Sequence, residues 1–150
     1  MNYGIKLREL RTSELLTQSD IAQKLNIARS TYKDYELQNK IIPVKHLNII
    51  CNYFSVSMDY LLGFSNIKFY HNVELNIDLE KQSKRLIDLR KKYKITQQDL
   101  ASLLNTSHSM ISDYERGKKV IATPFLYTIC SKYHISADYL LGKINDPSYL

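Results

Sequence analysis

The sequence predicts an all-α protein made of two small five-helix domains in tandem. Residues 5–63, moved forward by 79 positions, fall on 84–142 without a gap, so that LTQSDIAQKLN lies over ITQQDLASLLN, KDYE over SDYE and SMDYLLG over SADYLLG. Within each copy apolar residues recur at helical spacing, and the breaks between runs carry capping and turn residues. A period this long exceeds the roughly 20–50 residues of solenoid repeats, so each copy is expected to fold by itself. The expected division is a first domain over 1–64, a linker over 65–82, a second domain over 83–143 and a tail over 144–150.

The elements follow in order. Leu7 and Leu10, matched by Leu86 and Leu89, mark the inner face of an opening helix. Thr17 and Thr96 stand where N-caps belong, with Asp20 and Asp99 three positions on in capping-box placement, so a second helix starts there. It ends at Asn26 and Asn105, because asparagine tolerates the left-handed backbone of a tight turn. A third helix follows at once, with Tyr32 and Tyr35 inward in one copy, Ile111 and Tyr114 in the other, and Gly117 closing the second. The fourth carries Leu47, Ile50, Cys51 and Phe54, repeated as Leu126, Ile129, Cys130 and Tyr133, and Thr123-Pro124 fits its start in the second copy. Ser57 and Ser136 cap a short last helix that stops at Gly63 and Gly142. Between the copies, Val73, Leu75, Ile77 and Leu79 alternate, which fits a short strand or an extended lead; the segment is expected to be a linker that turns helical near Asp78.

Composition narrows the functions. The net charge of +6 is divided as +2 over 1–63, −1 over 64–83 and +5 over 84–150, a surplus that favours a polyanionic partner. No apolar run approaches the roughly 18–20 residues of a membrane span, and the start of the chain lacks a signal-peptide pattern, so a cytoplasmic protein is expected. Cys51 and Cys130 occupy equivalent positions in two different cores, where reduced thiols are expected. The four histidines show no metal-ligand spacing, and no phosphate-loop, nucleophile-elbow or zinc-protease motif is present. No enzyme activity, cofactor, metal or small-molecule ligand is therefore expected.

The second and third helices, joined by a turn of about three residues with small Ala22 or Ala101 at the crossing, read as a helix-turn-helix. On TQSDIAQKLN, TQQDLASLLN, SMISDYERGKK and the two DYLLG endings, the chain resembles the Cro/lambda-repressor-like (XRE) family of bacterial and phage DNA-binding domains. The resemblance covers both copies. It implies lambda-repressor-like domains, double-stranded DNA as partner and a transcriptional regulator, by family habit a repressor of phage or mobile-element type. It also implies a backbone contact from Gln18 and Gln97, and ion pairs of Arg11 with Glu36 and Arg90 with Glu115 that tie the first helix to the end of the third.

With Tyr32 and Tyr35 inward, about 100° per residue turns Ser30, Lys33, Asp34 and Leu37 outward, with Arg29 on the flank. The second copy presents Ser107, His108, Ser109, Ser112, Asp113 and Arg116. Such side chains suit a major groove about 12 Å wide: arginine can pair with guanine, an aspartate can accept from cytosine, and serine can do either. Lys40, Lys118 and Lys119 follow the third helix and would attract phosphates.

The copies differ where the second has Arg116, Gly117, Lys118 and Lys119 and the first has Leu37, Gln38, Asn39 and Lys40. Two unlike reading helices in one chain imply an asymmetric DNA site, and a homodimer would carry four heads. A competing reading remains: an adaptor or antitoxin-like regulator that uses these units for protein contact, through exposed Leu37 and the apolar Phe64, Phe69 and Tyr70.

Overall fold

The computed structural model describes residues 1–147, all helix and connecting segments with no strand among them. The chain divides into two compact units, Met1–His71 and the residues from Asn72 on. The first holds α1 (Tyr3–Ser13), α2 (Gln18–Leu25), α3 (Arg29–Leu37), α4 (Val44–Phe54) and α5 (Met58–Leu62). The second holds α6 (Leu79–Lys92), α7 (Gln97–Leu104), α8 (His108–Glu115), α9 (Thr123–Tyr133) and α10 (Ala137–Leu140). Five helices per unit, all-α throughout, is the architecture expected.

Each unit closes over its own apolar centre. Leu7, Ile21, Tyr32, Leu47, Ile50 and Leu61 are buried in the first, and Leu86, Leu100, Ile111, Leu126, Ile129 and Leu140 in the second. Cys51 and Cys130 lie buried, one in each core, and are not joined in a disulfide. Ser57 and Ser136 cap the last helices by accepting from the Tyr60 and Tyr139 amides at 2.9 and 3.1 Å. Gly63 and Gly142 follow with φ of +87° and +80°.

The unit boundary at His71/Asn72 falls inside the segment the sequence reads as a linker over 65–82. Tyr70 is buried, and its hydroxyl donates to the buried Asp59 carboxylate at 2.8 Å, while Ser57 Oγ donates to the Ile67 carbonyl at 3.0 Å. Those bonds hold residues 67–70 on the first unit and take Tyr70 out of any exposed apolar patch; Phe69 is left exposed. From the other side, the Glu74 and Asp78 amides donate to the Lys143 and Leu141 carbonyls at 2.8 and 2.9 Å, fastening residues 74–78 to the second unit. No strand forms at Val73–Leu79. Asp78 caps α6 by accepting from the Lys81 amide at 3.0 Å, so the helix starts where the acidic residue stands. In the expected tail, Ile144 is buried and its carbonyl accepts from Arg85 at 2.8 Å; residues 148–150 lie outside the described residues.

A close approach distinguishes the first unit. A Cβ at Gly4 would stand 2.1 Å from the Glu36 carbonyl oxygen, so α1 meets the end of α3 only because no side chain intervenes. At the equivalent place in the second unit, Ser83 has room for its side chain and donates its hydroxyl to the Glu115 carbonyl. Gly4→Ala is therefore expected to force the first unit apart and lower its stability by about 1–3 kcal/mol, read as an earlier urea midpoint. An unchanged midpoint would show that the helices can separate without cost.

Candidate nucleic-acid interface

The presenting helices are set by local chemistry. In α2, Thr17 Oγ1 accepts from the Asp20 amide at 3.1 Å and the Asp20 carboxylate accepts from the Thr17 amide at 2.7 Å. Thr96 and Asp99 repeat the box at 3.0 and 2.8 Å. Hydrogen bonds from the threonine backbone and hydroxyl hold both aspartates below the ordinary carboxylate pKa. Asn26 and Asn105 then take the left-handed conformation, both at φ 54°, which turns the chain within three residues into α3 and α8. Buried Ala22 and Ala101 let the helices cross closely.

The third helix of each unit is anchored by its inner face. Tyr32 and Tyr35 are buried, and the Tyr35 hydroxyl lies 3.2 Å from His46 Nδ1. In the second unit Ile111 and Tyr114 are buried, and the Ala122 amide donates to the Tyr114 hydroxyl at 3.3 Å. Arg29, Ser30, Lys33 and Leu37 are exposed on α3, as are His108, Ser109 and Arg116 on and just after α8, with Ser112 half-buried. Ser107 is the cap of α8, accepting from the Met110 amide at 3.2 Å and lying 3.0 Å from the Ser109 hydroxyl. Ala28 holds that position in the first unit, so α3 starts without a side-chain cap.

The aspartates on these faces are already engaged. Asp113 accepts from Arg116 at 3.0 Å on one oxygen and sits 3.4 Å from Lys119 Nζ on the other. Those cations outweigh desolvation and hold its carboxyl below the usual range. Asp34 lies 3.5 Å from Lys40. Asp34 and Asp113 are thus paired with cations that follow on the chain, and a cytosine contact would require those pairs to open. Lys118 is exposed on the same loop as Lys119.

Beneath this surface lie the two arginine-glutamate pairs. Arg11 Nε and Nη2 donate to Glu36 at 2.6 and 3.2 Å, and Arg90 donates to Glu115 at 2.8 and 2.7 Å. The remaining nitrogen of each guanidinium reaches back to the Leu16 or Ile95 carbonyl, at 3.0 and 3.1 Å, so each arginine ties α1 or α6 to both ends of the motif. Gln18 Nε2 donates to Glu36 at 3.0 Å, which places this glutamine in the ion-pair network as well as at the start of α2; half-buried Gln97 lacks that bond. Burial works against ionisation of Glu36, but hydrogen bonds from Arg11, Gln18 and Tyr32 prevail and lower its pKa.

Two supporting residues escaped the sequence reading. The Tyr3 hydroxyl donates to the Lys40 carbonyl at 3.3 Å and accepts from the Ile42 amide at 3.1 Å. Gln82 does both jobs in the second unit, donating to the Lys119 carbonyl at 2.9 Å and accepting from the Ile121 amide at 3.1 Å. Each pins the loop that carries the lysines. Tyr3 and Gln82 keep the 79-residue offset, but unlike side chains do not register as a repeat; only the shared position was available as a signal.

Comparison with known proteins agrees with this arrangement. The family described as Helix-turn-helix (HTH_3) matches residues 7–61 and again 86–140. The chain is similar to the HTH-type transcriptional regulator YobD of Bacillus subtilis strain 168, itself uncharacterised, with 39% identity over 64 residues, 43% of this chain and 57% of that protein. It is 42% identical over 71 residues to the uncharacterised regulator YqaE of the same organism, covering 47% of this chain and 61% of that one. It is also 30% identical over 81 residues to the transcriptional activator BcrR of Enterococcus faecalis, 54% of this chain and 40% of that one. The chain thus spans about three fifths of the length of the first two relatives. No solved structure matches the chain at a significant level. Two family matches that fall on the two sets of helices, and together cover most of the residues, place this protein in the Cro/lambda-repressor-like (XRE) helix-turn-helix family as a tandem of two such domains.

Proposed function

We propose that this chain is a sequence-specific, double-stranded-DNA-binding transcriptional regulator that reads the major groove with α3 and α8. One observation carries the reading: each unit holds a short polar helix by its inner face alone and leaves the other face to solvent, behind a three-residue turn. Arg29, Ser30 and Lys33 of α3 meet base edges in the first unit, and His108, Ser109, Ser112 and Arg116 in the second. Gln18, Gln97, Lys40, Lys118 and Lys119 lie along the backbone, with Ser107 holding the start of α8, and Asp34 and Asp113 keep the cations in place until the duplex arrives. The names of the relatives support regulation of transcription. Repression is the favoured outcome, since occupying a promoter needs no contact beyond the DNA; the activator name carried by BcrR makes a promoter-reporter assay the deciding measurement for sign.

The two reading faces differ in sequence, so one chain is expected to select an asymmetric site, and a homodimer would double it. The test is selection of bound sequences from a random duplex pool with the full chain, followed by titration at several salt concentrations. Enrichment of a bipartite motif is expected, with log K falling against log[salt] at about −0.9 per phosphate contacted. A chain that enriches nothing and ignores duplexes at low salt would end this reading. A protein-contact role for the first unit has its own support in exposed Leu37, which stands where the second unit has Arg116.

A further inference from the structure

The first unit contains a cleft whose lining differs in character from the equivalent positions of the second. It has a volume of about 630 Å³ and lies where the first turn of α1 meets the start of α2 and the end of α3. Ile5 and Leu37, 56% and 58% exposed, form its apolar rim together with Met1. Arg8 and Lys33 also line it, and the side chain of neither makes a hydrogen bond or ion pair among the described residues. Glu36, the carboxylate on the wall, is neutralised by Arg11 and accepts a further hydrogen bond from Gln18, so the positive charge of Arg8 and Lys33 stands uncommitted beside apolar surface. At the positions of Ile5, Arg8, Lys33 and Leu37 the second unit carries Lys84, Ile87, Ser112 and Arg116, which exchanges apolar for cationic at two positions, cationic for apolar at one, and removes the charge at the fourth.

We propose that this cleft docks an acidic amphipathic segment of a partner protein, with an apolar anchor between Ile5 and Leu37 and flanking carboxylates on Arg8 and Lys33. Three considerations choose this occupant. A DNA backbone satisfies the two cations but gains nothing from two half-exposed aliphatic side chains, whereas burying them against an apolar anchor removes surface worth about 25 cal/mol per Å². A small molecule would stay largely wet, because sites for such ligands enclose about 70–90% of their surface and this rim is open. An acidic peptide helix satisfies both halves of the pattern, apolar at i, i+3 and i+4 with carboxylates beside them. Since Gln18 and Lys33 belong both to this cleft and to the proposed DNA face, the segment and the duplex exclude each other on the first unit. The second unit would keep its hold on DNA. The exclusion rests on the DNA-binding reading above; the docking does not.

The probe is a fluorescein-labelled 14-residue helical peptide with leucines at positions i, i+3, i+4 and i+7 and glutamates beside them, titrated with the full chain by anisotropy. A second peptide replaces every glutamate with lysine. Saturable binding of the acidic peptide is expected, with roughly tenfold or greater loss for the lysine version. The same loss is expected for a chain given the second unit's residues as Ile5→Lys with Leu37→Arg, and for Arg8→Ile with Lys33→Ser, each checked for an unchanged thermal transition. These exchanges use residues the homologous unit already tolerates; should one pair unfold the unit, the other pair and the two peptides still decide the matter. Equal binding of both peptides, or undiminished binding by the exchanged chains, would overturn the proposal, as would no binding of the acidic peptide to the unaltered chain. Excess duplex should displace the acidic peptide. Peptide binding in a chain that ignores duplexes would sink the DNA reading and leave the docking intact, while peptide retained under saturating duplex by a chain whose second unit is weakened by Lys118→Glu with Lys119→Glu would sink the exclusion.

Discussion

Arg90→Met is expected to destabilise the second unit by about 3–5 kcal/mol, a large part of what holds so small a domain together. The Glu115 side chain is only 4% exposed, and both of its oxygens are held by that arginine at 2.7 and 2.8 Å. Methionine matches the aliphatic stem but leaves a buried carboxylate without its donor and frees the Ile95 carbonyl as well. The same change at Arg11 should cost less, because Glu36 keeps the hydrogen bond from Gln18 and the contact with Tyr32, where the second unit has Ile111. Urea denaturation followed by circular dichroism should therefore rank Arg90→Met below Arg11→Met, and both below the unaltered chain. Equal midpoints would show that the pairs fix geometry without adding net stability. The lowered pKa of Glu36 adds a pH signature to the first unit. A carboxyl depressed by folding stabilises above its unfolded pKa of about 4.3, and that contribution fades as the pH drops through the folded value. In the Gln18→Ala chain the folded pKa lies closer to that unfolded value, so the contribution should be smaller and its loss complete at a higher pH.

Reversing charge at Lys118 and Lys119 together is expected to weaken duplex binding by about two orders of magnitude at 0.1 M salt, and Lys40→Glu by about one. Each phosphate contact contributes a slope of about 0.9, or nearly tenfold at that salt. The second unit has two lysines after α8, and Gly117, at φ 69°, lets the chain turn directly into their loop; Gln82 then holds that loop by the Lys119 carbonyl and the Ile121 amide. The first unit makes its turn with Gln38 in the same left-handed conformation, and follows it with a single lysine. The Gln38 side chain is committed to the start of α1, accepting from the Gly4 amide at 3.1 Å and donating to the Met1 carbonyl at 2.9 Å. Gel-shift titrations on the selected site give the comparison, and a greater loss from Lys40→Glu would refute the assignment of stronger backbone affinity to the second unit.

Much of the fold was legible because its signals are local. Thr17 and Asp20 can cap only a helix that starts between them, and Asn26 and Asn105 mark the turn because few other residues rest easily in a left-handed conformation. Of the candidate interface, the outward polar faces of α3 and α8 followed from periodicity alone. The partners of those faces did not. Asp34 and Asp113 read as base acceptors when taken one residue at a time, and their pairing with Lys40, Arg116 and Lys119 depends on how the loop folds back. The segment between the copies was equally opaque: Tyr70 looks like linker until Asp59 is seen to hold its hydroxyl.

The sequence by itself determined that there are two homologous helical units, where the second and last helices of each begin and end, and which family they belong to, since periodicity, caps and turn residues act over a few positions. Tertiary structure alone decided what Gly4, Tyr3 and Gln82 are for and which cations stand free, and it revealed the apolar, positive cleft of the first unit. Those properties arise between residues some 30 to 40 positions apart, where distance along the chain says nothing about distance in space.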